Sequence, residues 1–139
     1  MNDNIKEITK IVHWYKGLSK DYSGIEDLLK ARKQLVTYQF LLAVEVGNAR
    51  QSWKECEAQT EIIRRGEIAK LIEQKFPMSK AVELAKNESV LMYEAEKIAD
   101  GYYNSLKFIL DASYEVGNTM SQHISYLRKE YELSNFNGR

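Results

Sequence analysis

The chain has 139 residues, room for one ordinary domain, and 44% hydrophobic with 29% charged residues excludes a disordered chain. Twenty Lys plus Arg against twenty Asp plus Glu gives a formal net charge of zero, which argues against a strongly basic nucleic-acid clamp and against an acidic mimic of DNA. One cysteine, Cys56, excludes an intramolecular disulfide framework and a multi-cysteine zinc site, and suits a reducing cytoplasm.

The start, Met1-Asn2-Asp3-Asn4-Ile5-Lys6-Glu7, lacks the basic and then apolar pattern of a signal peptide. No stretch approaches the apolar length of a membrane span. The expected location is the cytoplasm. One proline and seven glycines are few helix breakers, so long helices are expected.

In the first segment Ile5, Ile8, Ile11 or Val12, Tyr15 and Leu18 recur every three or four residues, which predicts a short amphipathic helix. A corner follows at Ser19–Gly24. The second segment carries a heptad in Leu28, Leu35, Leu42, Ala49, Cys56 and Ile63, interleaved with Ile25, Arg32, Gln39, Val46, Trp53 and Thr60. That alternation is the seam of a long bundle helix, and its polar members can fix register at a cost in stability. Beyond Gly66 the apolar stripe is expected to move to Ile62, Ala69, Ile72 and Phe76. Pro77 marks the main corner, because the residue before a proline is pushed out of helical angles. A short helix over roughly Ser79–Lys86 is expected next, with Ser79 as N-cap, and then a weak corner at Asn87-Glu88-Ser89.

The last segment repeats the pattern in Ala95, Ala99, Tyr102, Leu106, Ile109, Ser113, Val116, Met120, His123 or Ile124, and Leu127. It predicts a helix from about Ser89 to Glu132, roughly 65 Å long at 1.5 Å per residue. Residues 1–133 then form a single domain and 134–139 a flexible tail. The fold class is all-α: an elongated bundle built on a long antiparallel helical hairpin with a short N-terminal helix. Leu29, Val36, Phe40 and Ala43 form a second stripe beside the first seam. With Trp14 and Tyr15 they are the expected oligomer or partner interface, since a stripe wider than one neighbour needs is best buried by another subunit.

Catalytic and metal-binding patterns are absent. There is no Gly-rich phosphate loop, no Gly-x-Ser-x-Gly and no His-Glu-x-x-His. His13 and His123 have no glutamate three residues earlier, so the Glu-x-x-His of di-iron bundles is missing. Cys56 is flanked by Glu55 and Glu57 and lies on the seam, which suits a core thiol rather than a nucleophile. The carboxylates Glu94, Glu96, Asp100, Asp111 and Glu115 read as a solvated helix face. No enzyme, metal or cofactor is expected.

The basic residues are local even though the total cancels. Arg64, Arg65, Lys70 and Lys75 approach the Pro77 corner, and Lys80 follows it. In an assembly of identical subunits a small patch repeats, and phosphate affinity then comes with strong salt dependence. Nine tyrosines and two tryptophans could supply rings for bases to stack on. Trp53, Tyr102 and Tyr15 fall on seams, whereas Tyr93, Tyr103, Tyr114, Tyr126 and Tyr131 are free for either role.

At the C-terminal end Gln122-His123-Ile124-Ser125-Tyr126-Leu127-Arg128-Lys129-Glu130 resembles the closing helix of the UvsY family of phage recombination mediators, which has His-Ile, two residues, an aliphatic residue and Arg. The order of elements is also similar. Leu29-Lys30-Ala31-Arg32 matches a tetrapeptide of that family but falls earlier in the chain. The resemblance implies a cytoplasmic, ring-forming, non-enzymatic protein that binds single-stranded DNA and helps load a recombinase, in the host cytoplasm if phage-encoded. It carries over Arg64, Arg65, Lys70 and Lys75 as phosphate contacts, with Arg128 and Lys129 as a second choice. The balanced charge keeps a second reading open: a helical protein–protein interaction module, such as a small phage inhibitor of a host protein or an assembly chaperone.

Overall fold

The first helix begins at a cap. In the computed structural model, which describes residues 2–137, the Asn2 side chain accepts from the amides of Asn4 (2.8 Å) and Ile5 (3.3 Å). These are N–H groups that a helix leaves unpaired at its start. Helix α1 runs Asp3–Lys16 and stops at Gly17. Helices α2 (Ile25–Glu73), α3 (Met78–Glu88) and α4 (Val90–Asn137) follow. The fold is all-α, as the spacing predicts.

Packing groups the residues into two units. The first ends at Val44 and takes up again at Lys107; the second is Glu45–Leu106. In the first, α2 and α4 run antiparallel: Arg32 Nε donates to Ser121 Oγ (2.9 Å) and Gln39 Nε2 to Ser113 Oγ (3.1 Å), so one number rises as the other falls. Leu28, Leu35, Leu42 and Met120 are fully enclosed there, each worth about 1.5–3 kcal/mol of burial. Gly117 is buried against this polar layer, with room for a small side chain in ordinary contact. A Cβ on it would sit 3.5 Å from Leu35 Cδ2 and 3.6 Å from Arg32 Cζ and Gln39 Nε2. α1 covers part of the unit through Ile8 and Ile11, both buried.

In the second unit the buried residues are mostly small, Leu106 apart. Ala49, Thr60, Ala81, Ala85 and Ser89 are buried, and Trp53 of α2 stacks on Tyr103 of α4 at 5.6 Å and 15°. The Pro77 corner is a helix stop of the Schellman type. Lys75 takes a positive φ of 68°, its amide bonds the Ile72 carbonyl (2.9 Å), and the Phe76 amide bonds that of Leu71 (3.1 Å).

Four expectations need correction. The α2 seam holds as far as Thr60, but the next half-buried positions are Arg64, Glu67, Ile68 and Leu71, while Ile62, Ala69, Ile72 and Phe76 are exposed. Two successive steps of four, from Cys56 to Thr60 to Arg64, are a stutter that rotates the seam round the helix. On α4, Ala99, Leu106, Ser113, Met120 and Leu127 do face inward, yet the alternate column is Glu96, Tyr103, Leu110, Gly117 and Ile124, one residue later than the Ala95–Tyr102–Ile109–Val116 series. In the first unit Ile109 and Val116 serve a second neighbour, α1. In the second unit Ala95 and Tyr102 are exposed. Ser79 lies inside α3, whose N-cap is Pro77. Finally, α4 stays helical to Asn137 instead of ending near Glu132. The expected tail at 134–139 therefore starts as helix, and residues 138–139 lie outside the described residues.

Candidate binding surfaces

The four cations near the Pro77 corner do not share a face. At about 100° per residue Arg64, Arg65 and Lys70 point in three directions round α2. Arg64 and Arg65 both sit on Glu61, at 3.8 and 3.4 Å, so part of their charge is already answered. Arg64 also turns inward, with a buried Nε that has no hydrogen-bond partner. Lys70 and Lys75 are exposed, with Lys75 held in the turn.

Arg128 and Lys129, near the end of α4 in the first unit, have contrasting settings. Arg128 shares a shallow groove with Tyr131 and three carboxylates, Glu26, Glu130 and Glu132, which compete with phosphate. Lys129 shares a smaller one with Ser121, Gln122, Ser125 and Tyr126, without a carboxylate. Gln122, Ser125, Tyr126 and Lys129 fall within about 100° of arc on one helix face. Tyr126 is 61% exposed, and hydrogen bonding to Glu130, then that carboxylate's charge, then slight desolvation raise its phenol above the ordinary tyrosine value. The face offers a ring for stacking, an ammonium for phosphate, and an amide and a hydroxyl for polar edges. Tyr126 is among the tyrosines that the sequence leaves open for stacking, whereas Gln122 and Ser125 are not among the expected contacts. The signal for them was their spacing on the side of the helix away from Met120, Ile124 and Leu127.

The expected interface residues divide. Leu29, Val36 and Phe40 are exposed and Ala43 half-buried, and the four form one row along α2 within about 60°. Trp14 does not join them. It packs edge-on against Tyr22 at 6.1 Å and borders the Asp27, Lys30 and Gln34 side of α2. Tyr15 is engaged within the unit: its hydroxyl lies 3.3 Å from His123 Nδ1, while His123 Nε2 lies 3.0 Å from the Tyr22 carbonyl. A carbonyl only accepts, so Nε2 carries the hydrogen and Nδ1 accepts from Tyr15. His123 thus ties α1 and the following loop to α4 and is a structural residue.

Among the described residues no group of three or more His, Cys, Asp or Glu could hold a metal ion, and no helix is long and apolar enough to cross a membrane. No protein-family model, no curated protein and no solved structure matches this chain.

Proposed function

We propose that this chain is a non-enzymatic, self-associating mediator of the phage recombination type, which binds single-stranded DNA in the cytoplasm and helps load a recombinase. The observation that carries the reading is the Tyr126–Lys129 face, where an exposed ring and a lysine line one groove, with Glu130 engaged by the Tyr126 hydroxyl at its edge. Stacking on a tyrosine tolerates any base, and one or two phosphate contacts per subunit become useful affinity only when subunits are repeated. The order of helices, short, long, broken at Pro77 and long again, agrees with the resemblance. The DNA contacts in this reading centre on Lys129 and Tyr126, with Arg128, Lys70 and Lys75 as outlying charges. Arg64, turned inward, contributes least, and Arg65 is an exposed outlying charge that shares Glu61 with it.

The test is fluorescence anisotropy of a labelled oligothymidylate. Binding at low salt should weaken steeply as salt rises. Tyr126→Ala with Lys129→Glu should reduce affinity about tenfold or more, while Arg64→Glu changes it little. A folded protein that ignores the oligonucleotide at low salt rules the reading out.

The second reading, a protein–protein module, is favoured by the Leu29–Val36–Phe40–Ala43 row, since Phe40 is 68% exposed on a helix with an otherwise well-formed seam. It predicts a stable complex with a protein in the absence of nucleic acid, lost on Phe40→Ser.

A further inference from the structure

In the first unit α1 and α4 do not close on each other. A cleft of about 550 Å³ runs between them. Its floor is apolar, with Ile8, Val12, Ile109 and Val116, and Phe108 stands on the rim, 74% exposed. The two walls differ in sign: Lys16 on α1 and Glu115 on α4. We propose that this cleft receives an amphipathic helix of a partner protein, one whose apolar row is edged by carboxylates on one side and by lysine or arginine on the other.

Three features select that occupant. Both walls are helices whose backbone groups are satisfied internally, so they offer no ladder to an extended peptide, and a partner segment must satisfy its own backbone by being helical. The walls span Ile8–Lys16 and Phe108–Thr119, about 12 and 16 Å at 1.5 Å per residue, which accommodates roughly two to three turns. The opposite charges of Lys16 and Glu115 match a helix with edges of opposite sign and oppose one edged by a single sign. An exposed phenylalanine at the rim adds aromatic surface that a bound helix would bury. The proposal does not rest on nucleic-acid binding.

The probe is a fluorescein-labelled amphipathic peptide of about five turns with a leucine row. It is made in three versions: glutamate on one edge and lysine on the other, glutamate on both, and lysine on both. The mixed-edge peptide should bind about tenfold or more tightly than either single-sign version. Lys16→Glu makes both walls acidic and should move the preference to the lysine-edged peptide, and Glu115→Lys should move it to the glutamate-edged one. Phe108→Ser, at an exposed position, should weaken every version without loss of helicity. Equal binding of the three peptides, binding of none, or indifference to Phe108→Ser overturns the proposal. So does a fall in the protein's own assembly mass on Phe108→Ser, which would give the cleft to a second copy.

Discussion

Tyr15 shows how one hydroxyl can make stability depend on pH. Burial raises its ionisation above the ordinary 10.0, and its proton is placed towards His123 Nδ1 at 3.3 Å. An unfolded tyrosine releases its proton near pH 10, whereas the folded one holds it longer. The contribution is therefore fully present below about pH 10 and is lost as pH rises through the higher folded value. Tyr22 works in the same direction, chiefly through its hydrogen bond to Asp27. Urea titrations should show the parent losing stability as pH rises above about 10, and Tyr15→Phe losing less. At neutral pH Tyr15→Phe should cost about 0.5–1 kcal/mol for the missing bond. Parallel decline of the two proteins in alkali would exclude this role. Neither the bond nor the shift could be read from the sequence, because Tyr15 and His123 are 108 positions apart and only the folded helices bring them together.

At the scale of the element, helices and corners were legible and rotation about the helix axis was not. Scarce breakers and three-four spacing give four helices whose limits fall close to the observed ones. The seam of α2 is read correctly through Leu28, Leu35 and Leu42, all fully enclosed. It is misread beyond Thr60, where the stutter turns Arg64 inward and leaves Ile62 outside. On α4 the error is one residue, because two neighbours each claim an apolar column and sequence periodicity adds the columns together. The candidate DNA face suffered similarly: Lys129 was found as a charge, but its companions Gln122, Ser125 and Tyr126 belong to a rotation that only the true seam defines. The end of α2 gives a sharper test. Lys75 occupies the left-handed position that a Schellman stop normally gives to glycine, and a side chain there costs about 1 kcal/mol. Lys75→Gly should raise thermal stability, by a few degrees for a domain of this size. If Lys75 also meets phosphate, the same variant should bind the oligonucleotide slightly less well. A destabilised Lys75→Gly would mean that the ammonium stabilises the helix end by more than the backbone strain costs.

For the whole chain the question is what covers its exposed apolar rows. In the second unit Leu91, Ala95, Ile98 and Tyr102 lie within about 60° of arc on α4, with Leu91 79% and Ile98 75% exposed. In the first unit Leu29, Val36, Phe40 and Ala43 do the same on α2. Full burial of a leucine, isoleucine or phenylalanine is worth about 1.5–3 kcal/mol, so each row forfeits several kcal/mol while it faces water. Another copy of the chain presents the same rows at equal concentration, and one row meeting its own counterpart about a two-fold axis would answer the deficit. The expected result is a multimer by light scattering at micromolar concentration. Leu91→Ser with Ile98→Ser, and separately Val36→Ser with Phe40→Ser, should each lower the measured mass while helicity by circular dichroism is unchanged. These positions carry little of the internal core, so loss of fold is not the expected outcome. If the row variants lower the mass and also flatten the salt dependence of oligonucleotide binding, DNA affinity comes from repetition of the Lys129 face. If the parent runs as a single chain and still binds oligonucleotide tightly, affinity resides in one copy, and the rows are left for a partner protein to cover.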